Sequence, residues 1–405
     1  MRYFYRFQAE KGGKSVQMNV AGIVSEYNPF HNGHKYMIDR IRQNGVTHVV
    51  AVMSGAAVQR GDIAIFDKHF RAEKAVENGV DLVLELPFPY SCSSGETFAR
   101  SAVSILAGLG ENVVNTIAFG CEIDALEMLK KAADITYQLK SNSLVKDMLS
   151  KGLSYPDALC QSAKKLAGDN VAKVLESPNN TLAIEYIKAA KELLPNLNFM
   201  PIKRAFAEHD TAQNANGIAS ASLIRELALN GKNADEFCPY SLKNVPTFSI
   251  KNAERQVLFC LASCEKSELL QIADCSTEIA DKIKNAIAEC PKTLEGFFAI
   301  CKSRNVIMAR LRRITMQLVL GAKKSDIAAP PFARVLAFNK KGAEVLAKSG
   351  GKLPVDTSLK ALEDSSDYAR RIVKLENNAV LFQNTCANSE YSPLNEYRRF
   401  VTITE

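Results

Sequence analysis

Two histidines three positions apart, His31 and His34, are the side chains best suited to act on a charged substrate. They are two of only five histidines in the chain, and they lie where an apolar, strand-like run gives way to a helical pattern. Imidazoles at the start of a helix can both face an anion, and the free backbone N–H groups there add positive potential. Gly33 between them permits close approach of the backbone. The spacing predicts a phosphate site, against the plainer alternative of two solvated histidines at a turn.

A second group with phosphate chemistry is formed by Ser220, Ser222 and Arg225. Serine can cap a helix, and a helix N-terminus with an arginine can hold phosphate oxygens. The alternative is an ordinary capped surface helix. Lys68 and Arg71, one helical turn apart, could face the same phosphates or an RNA, or could form a solvated helix face.

Strand-like and helical runs alternate from residue 19 onward, as in parallel βαβ units. The predicted strands are residues 19–25, 48–53, 81–86, 116–119 and 198–202. The predicted fold class is α/β, a doubly wound parallel sheet of the Rossmann type, followed by a mostly helical C-terminal region. Such sheets bind ligands beyond the carboxyl ends of their strands. The loops after Ser25, Met53 and Phe119 should therefore line one crevice.

A length of 405 residues exceeds what one core usually serves and favours several domains. The predicted division is an N-terminal extension (1–17), a catalytic domain (18–239) and a mostly helical region (240–405). The chain has 47% hydrophobic and 23% charged residues and no run of about 18 apolar residues, which indicates a globular protein without a membrane span. The ten cysteines contain no CxxC pair, which argues against a zinc site. Free thiols are typical of a reducing compartment, so we expect a cytoplasmic location.

Positive charge is concentrated in residues 301–325, which contain no acidic residue. The basic residues there are Lys302, Arg304, Arg310, Arg312, Arg313, Lys323 and Lys324. The net charge of the chain is only +7, so this distribution is more informative than the total. A basic stripe of this kind predicts contact with RNA phosphates, and a solvated basic helix is the alternative.

Several motifs occur in a fixed order along the chain. After the HxGH of residues 31–34 come Gln59-Arg60-Gly61, the run DLVLELP at 81–87, Phe119-Gly120, Pro178-Asn179-Asn180 and Ser220-Ala221-Ser222 with Arg225. HxGH after a first strand resembles the nucleotidyltransferase and class I aminoacyl-tRNA synthetase superfamily. The ordered set resembles the bacterial tRNA(Met) cytidine acetate ligase family. Members of that family activate acetate with ATP as acetyl-adenylate and then acetylate N4 of the wobble cytidine of elongator tRNA(Met).

The resemblance implies ATP with Mg²⁺, acetate and elongator tRNA(Met) as the reaction's components, with His31 and His34 as catalytic residues. It identifies no protein ligand to the metal, and it leaves open both whether the protein supplies one and whether the protein is a homodimer. The ATP site implied is Val24, Ser25, Glu26, Tyr27, Asn28, Pro29, Phe30, His31, Asn32, Gly33, His34, Lys35, Tyr36, Met37, Gly120, Asn179 and Arg204. The phosphate-binding set is Ser220, Ser222, Arg225 and Lys68, and the tRNA-binding set is Arg304, Arg310, Arg312 and Arg313.

Two other functions remain compatible with these residues. A small-molecule adenylyl- or cytidylyltransferase would explain HxGH but would give the basic C-terminal stretch no role. An RNA-binding protein with a vestigial nucleotide fold would explain the basic stretch, but a dead site has no physical need for His31, His34 and Arg225 together.

Overall fold

The computed structural model describes residues 18–123, 125–204, 217–303, 306–388 and 395–404. The predicted N-terminal extension, residues 1–17, lies outside the described residues.

The described chain contains short strands and many helices, numbered here in chain order. The strands are β1 Val20–Ser25, β2 His48–Ser54, β3 Ala57–Val58, β4 Asp62–Ile63, β5 Leu82–Leu86, β6 Thr116–Cys121, β7 Asn198–Lys203, β8 Ala333–Phe338, β9 Val355–Asp356 and β10 Thr402–Ile403. The helices before residue 230 are α1 Asn32–Gln43, α2 Lys68–Glu77, α3 Gly95–Gly108, α4 Leu126–Leu139, α5 Ser143–Ser150, α6 Tyr155–Ala167, α7 Asp169–Leu175, α8 Pro178–Leu193 and α9 Ala221–Leu229. Those that follow are α10 Glu254–Ser263, α11 Lys266–Leu269, α12 Thr277–Ala288, α13 Leu294–Cys301, α14 Met308–Leu320, α15 Lys340–Lys348, α16 Leu359–Glu363 and α17 Asp367–Thr385.

The main sheet has the order β10-β8-β5-β2-β1-β6-β7, with β9 beside β8. The five strands from β5 to β7 are parallel, and β1 is their centre. The chain winds outward from β1 in both directions, so the carboxyl ends of β1 and β6 flank the point where the winding reverses. The prediction of a doubly wound α/β sheet is confirmed, and this reversal is where such sheets bind ligands.

Helices cover both faces of the sheet because its central strands are apolar on both sides. Alternate residues of β1 divide between two hydrophobic clusters, with Ile23 in one and Val20 in the other. α1 and α2 bury Ile38 and Ala72 in the first cluster, while α3 buries Leu106 in the second. Close packing of α3 uses the missing side chain of Gly22, where a Cβ would lie 2.6 Å from Cδ1 of Leu106.

The region after residue 239 is mostly helical, as predicted, but it is not separate from the sheet, so the predicted boundary at residue 239 is wrong for the sheet. β8 pairs antiparallel with β5, and β10 pairs parallel with β8, so the chain after residue 330 returns to the edge of the main sheet. Buried residues of α17 belong to the same hydrophobic cluster as β1 and α3. The sequence pattern missed this return because one short strand within a mostly helical stretch resembles any short apolar run.

The helices α10–α14 do have a core of their own. Val257, Ile283, Phe297 and Leu311 are fully buried in a cluster separate from the two that flank the sheet. This helical unit is inserted between β7 and β8, and it carries the basic stretch of the sequence on α14. No helix of the described residues is long and apolar enough to cross a membrane.

Candidate active site

The loop between β1 and α1 forms the centre of the site. Ser25 ends β1, and its Oγ accepts the backbone N–H of Tyr27 at 3.2 Å. Tyr27 takes a positive φ of 44°, which turns the chain sharply toward the helix. The rings of Tyr27 and Phe30 are buried and lie 4.9 and 5.6 Å from the ring of His34. The predicted motif therefore rests on a hydrophobic floor rather than in solvent.

His31 and His34 cap the helix and lie against each other. The ring centroids are 3.8 Å apart. Nδ1 of His31 accepts the backbone N–H of Gly33 at 3.0 Å, and Nδ1 of His34 accepts the backbone N–H of His31 at 3.2 Å. An acceptor Nδ1 carries no proton, so the proton of each neutral ring is on Nε2. Both histidines thus offer Nε2–H as a donor, and neither Nε2 has a hydrogen-bond partner among the described residues.

The charge state of the pair follows from its surroundings. Burial, together with the positive charges of Arg204 and Arg225, lowers the pKa of His31 to about 3. Burial, His31 and Arg204 lower the pKa of His34 well below its ordinary value. Both rings are therefore neutral at physiological pH, and they can stabilise developing negative charge as hydrogen-bond donors.

Gly33 is required by the geometry of the pair. A Cβ at this position would lie 2.9 Å from Cε1 and 3.0 Å from Nδ1 of His31. The first distance is shorter than real Cβ atoms show, so a side chain would force the imidazole to shift and would disturb its hydrogen bond to the Gly33 amide.

α9 brings the second predicted phosphate motif to the same loop. Ser220 caps α9 by accepting the N–H of Leu223 at 3.2 Å, as predicted. Arg225 donates to the carbonyl of Asn28 at 2.8 Å and to Oγ of Ser222 at 3.1 Å. The structure therefore places Ser222 and Arg225 beside the loop between β1 and α1, called the histidine loop below. Nearly 200 residues separate this loop from α9 in the sequence.

Further hydrogen bonds hold α9 against the start of α1. The sequence analysis did not predict that the residues forming them contact one another. The side-chain amide of Asn32 donates to the carbonyls of Gly217 and Glu236 at 2.7 and 3.0 Å. The hydroxyl of Tyr240 donates to the carbonyl of Phe30 at 2.8 Å. These bonds fix the segment around α9 against the start of α1.

Three residues predicted to complete the nucleotide site meet at the ends of β6 and β7. The backbone N–H of Arg204 donates to the carbonyl of Cys121 at 3.1 Å, and Gly120 lies opposite its side chain. Nδ2 of Asn179 donates to Oε1 of Glu122 at 2.6 Å. Sequence reasoning missed Glu122, whose Oε2 is buried without a partner in the described structure. Its position directly after β6 was the available signal.

The remaining predicted residues of the loop and first helix have roles within the fold. Val24 packs against the cluster that contains α3, and Tyr36 and Met37 pack against the opposite cluster. Lys35 pairs with Asp39 one turn along α1 at 2.5 Å. Pro29 and Asn28 are buried, and Oδ1 of Asn28 accepts the N–H of Ile65. Whether any of them contacts a nucleotide stays a prediction.

The prediction that Lys68 faces the phosphates is wrong. Its side chain is 1% exposed, and its Nζ lies 2.5 Å from Oε1 of Glu85 and 3.0 Å from Oε1 of Glu376. Arg71 is also fully buried, and it donates to the carbonyls of Glu26 and Ser54 at 2.6 and 3.1 Å. Both cations hold the loops of the crevice from the protein interior, so neither is available to a ligand. The alternative of a solvated helix face is wrong as well.

The predicted tRNA-binding arginines of α14 differ in accessibility. Arg312 is exposed, and its guanidinium lies 5.7 Å from the ring centroid of Phe298. Arg310 donates to the carbonyl of Asp274, and Arg313 is half-buried. Arg304 lies outside the described residues. Of the three described arginines, Arg312 is the one most open to an approaching polyanion.

Comparison with known proteins decides the family. Residues 18–397 match the family of HIGH nucleotidyl transferases. A tRNA(Met) cytidine acetate ligase of Caldanaerobacter subterraneus subsp. tengcongensis is 34% identical over 397 residues, covering 91% of this chain and 96% of that protein. One from Clostridium perfringens is 34% identical, covering 92% and 98%. This chain belongs to the tRNA(Met) cytidine acetate ligase family. The resemblance seen in the ordered motifs is confirmed.

Solved structures agree with this membership in the tRNA(Met) cytidine acetate ligase family. The crystal structure of Thermotoga maritima TmcAL bound with alpha-thio ATP has a TM-score of 0.84 at 26% identity, covering 95% of this chain and 99% of that one. The apo form of the same protein has a TM-score of 0.86 at 27% identity, with the same coverage. The predicted nucleotidyltransferase fold is thus confirmed over nearly the whole length.

The described residues do not offer this member of the tRNA(Met) cytidine acetate ligase family a protein cage for a metal ion. No group of three or more histidine, cysteine, aspartate or glutamate side chains in the described ranges could hold one. Mg²⁺ characteristically keeps several waters and binds substrate phosphates, so ATP itself is the donor set that suits it.

Proposed function

We propose that this protein is an ATP-dependent tRNA-modifying ligase. It activates acetate as acetyl-adenylate and transfers the acetyl group to N4 of the wobble cytidine, position 34, of elongator tRNA(Met). The observation that carries the proposal is the pair of neutral imidazoles at the start of α1, each with Nε2–H free. Membership of a family whose relatives are named tRNA(Met) cytidine acetate ligase supports the substrate. A family likeness to an ATP-analogue complex supports ATP.

In the first step an acetate oxygen forms a bond to the α-phosphorus, and the bond from that phosphorus to the bridging oxygen of pyrophosphate breaks. Negative charge increases on the phosphoryl oxygens during this exchange. His31 and His34 would donate Nε2–H to those oxygens, and the N-terminus of α1 adds positive potential. Arg225, Ser220 and Ser222 would bind the departing β and γ phosphates.

In the second step the exocyclic amine of cytidine attacks the acetyl carbon, and AMP leaves. The basic face of α14 is the proposed contact for the anticodon arm, with Arg310, Arg312 and Arg313 neutralising phosphates. Affinity for tRNA should then fall steeply with salt.

Acetate-dependent ATP/pyrophosphate exchange tests the first step directly. Wild-type protein should exchange only when acetate is present, and His34→Ala should lower the rate about 100-fold because it removes a donor to the transition state. His34→Gln keeps an amide N–H near the position of Nε2 and should restore part of the rate.

His48→Ala is the matched control, because His48 is buried at the opposite, amino end of β2. This variant should retain exchange. Exchange that needs no acetate, or none under any tRNA condition, would contradict the proposal and favour a small-molecule nucleotidyltransferase or an RNA-binding protein.

A further inference from the structure

The hairpin of β3 and β4 carries a carboxylate, Asp62, that has no role in the chemistry described so far. At the tip of this hairpin Gly61 has a φ of +79°, and a Cβ there would lie 2.4 Å from the carbonyl carbon of Arg312. The hairpin therefore packs directly on the backbone of α14. In the same turn the backbone N–H of Gln59 donates to Oε1 of Glu26 at 2.8 Å. Asp62 thus belongs to a hairpin that contacts both the histidine loop and α14.

Charges around Asp62 define its place more closely. Arg225 acts on both His31 and Asp62, whereas Arg312 acts on Asp62. Arg225 contacts the histidine loop, and Arg312 is on the face of α14 assigned to RNA. The carboxylate of Asp62 is therefore close enough to interact electrostatically with a cation on the nucleotide side and with a cation on the RNA side. In a two-step reaction, this is the region where an activated acyl group and an RNA amine would have to meet.

Asp62 has the chemical freedom that a base needs. Oδ1 accepts the N–H of Ile63 at 2.8 Å, and within the described ranges Asp62 forms no ion pair and Oδ2 has no hydrogen-bond partner. Burial raises the pKa of Asp62, and the nearby carboxylate of Glu26 raises it further. The Ile63 amide and the two arginines oppose this rise without cancelling it. A carboxylate with a raised pKa accepts a proton more readily near neutral pH.

Other titratable groups face Asp62 from the elements packed around it. Cys92, at the end of the turn before α3, and Cys386, just after α17, both sense its charge. Burial raises the pKa of each thiol to about 12, so both remain neutral. His31 and His34 already carry their protons on Nε2, so those nitrogens donate and do not accept.

We propose that Asp62 is the catalytic base of the acyl-transfer step. This inference rests on the proposed function. The N4 nitrogen forms a C–N bond with the acetyl carbonyl carbon, and the bond from that carbon to the phosphate oxygen of AMP breaks. The electron pair of the broken bond leaves with AMP. The proton on N4 passes to Oδ2 of Asp62 and from there to water, so no other reactant is needed.

The test separates the two steps. Chemically prepared acetyl-adenylate is mixed with excess protein and tRNA(Met), and N4-acetylcytidine is measured in a single turnover, beside ATP/pyrophosphate exchange with acetate. Asp62→Asn preserves the shape and the acceptor for the Ile63 N–H. We expect it to lower the transfer rate about 100-fold or more, a loss that the exchange rate does not share. Asp62→Glu, which restores a carboxylate, should recover part of the transfer.

The pH profile gives a readout that a structural role would not move. Transfer by wild-type protein should rise with pH until Asp62 is ionised and then level off, and Asp62→Asn should lose that rise. Asp134→Asn, in an exposed pair with Lys191, is the control and should transfer normally. Equal transfer by Asp62→Asn and wild type overturns the inference, as does an equal loss of exchange and transfer. A wild type without acetate-dependent exchange overturns the proposed function itself and the inference with it.

Discussion

The two histidines of the candidate active site are donors rather than cations, and this follows from single hydrogen bonds. Each Nδ1 is occupied by a backbone N–H, which leaves the proton on Nε2. A folded-state pKa of about 3 for His31 lies below the ordinary value of 6.5, so the neutral form is the folded-state form above about pH 3. Between these two pH values an unfolded chain would bind a proton that the folded chain does not, so this histidine lowers stability progressively as pH falls below 6.5.

This assignment predicts the behaviour of the imidazole nitrogens in solution. In the protein without ligand, ¹⁵N-resolved NMR of His31 and His34 should show the neutral Nε2–H form at pH 5.5 as well as at pH 8. The rate of acetate-dependent ATP/pyrophosphate exchange, plotted against pH, should likewise show no step near pH 6.5 that is due to these two residues. A His31 that titrates near 6.5 would contradict the buried, hydrogen-bonded arrangement.

At the scale of one element, the start of α1 depends on a glycine between two rings. Gly33→Ala should lower acetate-dependent exchange by about 10-fold or more, because the new Cβ would meet His31 and misplace the proposed transition-state donor. The fold should survive, since alanine is favoured in helices. Exchange assays beside circular dichroism would separate the two effects.

Gly95→Ala is the matched control for that substitution. Gly95 also opens a helix, α3, and a Cβ there would meet Cδ2 of Leu182 at 3.5 Å, an ordinary contact. This variant should keep both activity and stability. If Gly33→Ala were as active as Gly95→Ala, the close contact with His31 would have no functional weight.

Over the whole molecule, a buried ionic cluster joins distant parts of the chain. Lys68 on α2 contacts Glu85 of β5, Glu376 of α17 and Glu396 near the C-terminus, and Arg334 of β8 lies 2.6 Å from the same Glu396. Glu376 also accepts the backbone N–H groups of Ala56 and Phe88 at the crevice edge of the sheet. The cluster thus fixes the returning C-terminal segment under the loops that carry the site.

Removing the central cation of this cluster should destabilise the protein. Lys68→Met would leave three buried carboxylates with one arginine, at a cost of about 3–5 kcal/mol in the free energy of unfolding measured with urea. Burial raises the pKa of Glu376 to about 7, so this carboxyl can take up a proton in the folded state. The loss should therefore be smaller at pH 5.5 than at pH 8.

Lys74→Met, on the same helix, is the control for this comparison. Lys74 is only partly covered and pairs with Glu73 and Glu77 on the surface, so its loss should cost less than about 1 kcal/mol. Equal losses for the two variants would show that the buried cluster does not hold the C-terminal segment.

The effect of Glu376 on stability depends on pH in the direction opposite to that of His31. Its folded-state pKa of about 7 lies above the ordinary value of 4.5, so the stability that its protonated form contributes is lost as the pH rises from about 4.5 to 7.

The sequence by itself determined the features that depend on neighbouring residues. Alternating apolar runs set the order of β1, β2, β5, β6 and β7, and either Ser220 or Ser222 was recognisable as a helix cap, of which the structure uses Ser220. The HxGH motif was visible because both histidines and their glycine lie within one turn of chain. Periodicity, capping and motif spacing are local properties, so they can be read before the chain is folded.

Only the tertiary structure decided the features whose partners are far apart in sequence. Lys68 has the positive charge expected of a phosphate ligand, yet it is enclosed by carboxylates that lie 17 and 308 residues away in the sequence. The return of β8 to the sheet and the electrostatic interaction of Asp62 with both Arg225 and Arg312 are decided in the same way. Burial and electrostatic potential are sums over residues from the whole chain, and no local pattern contains them.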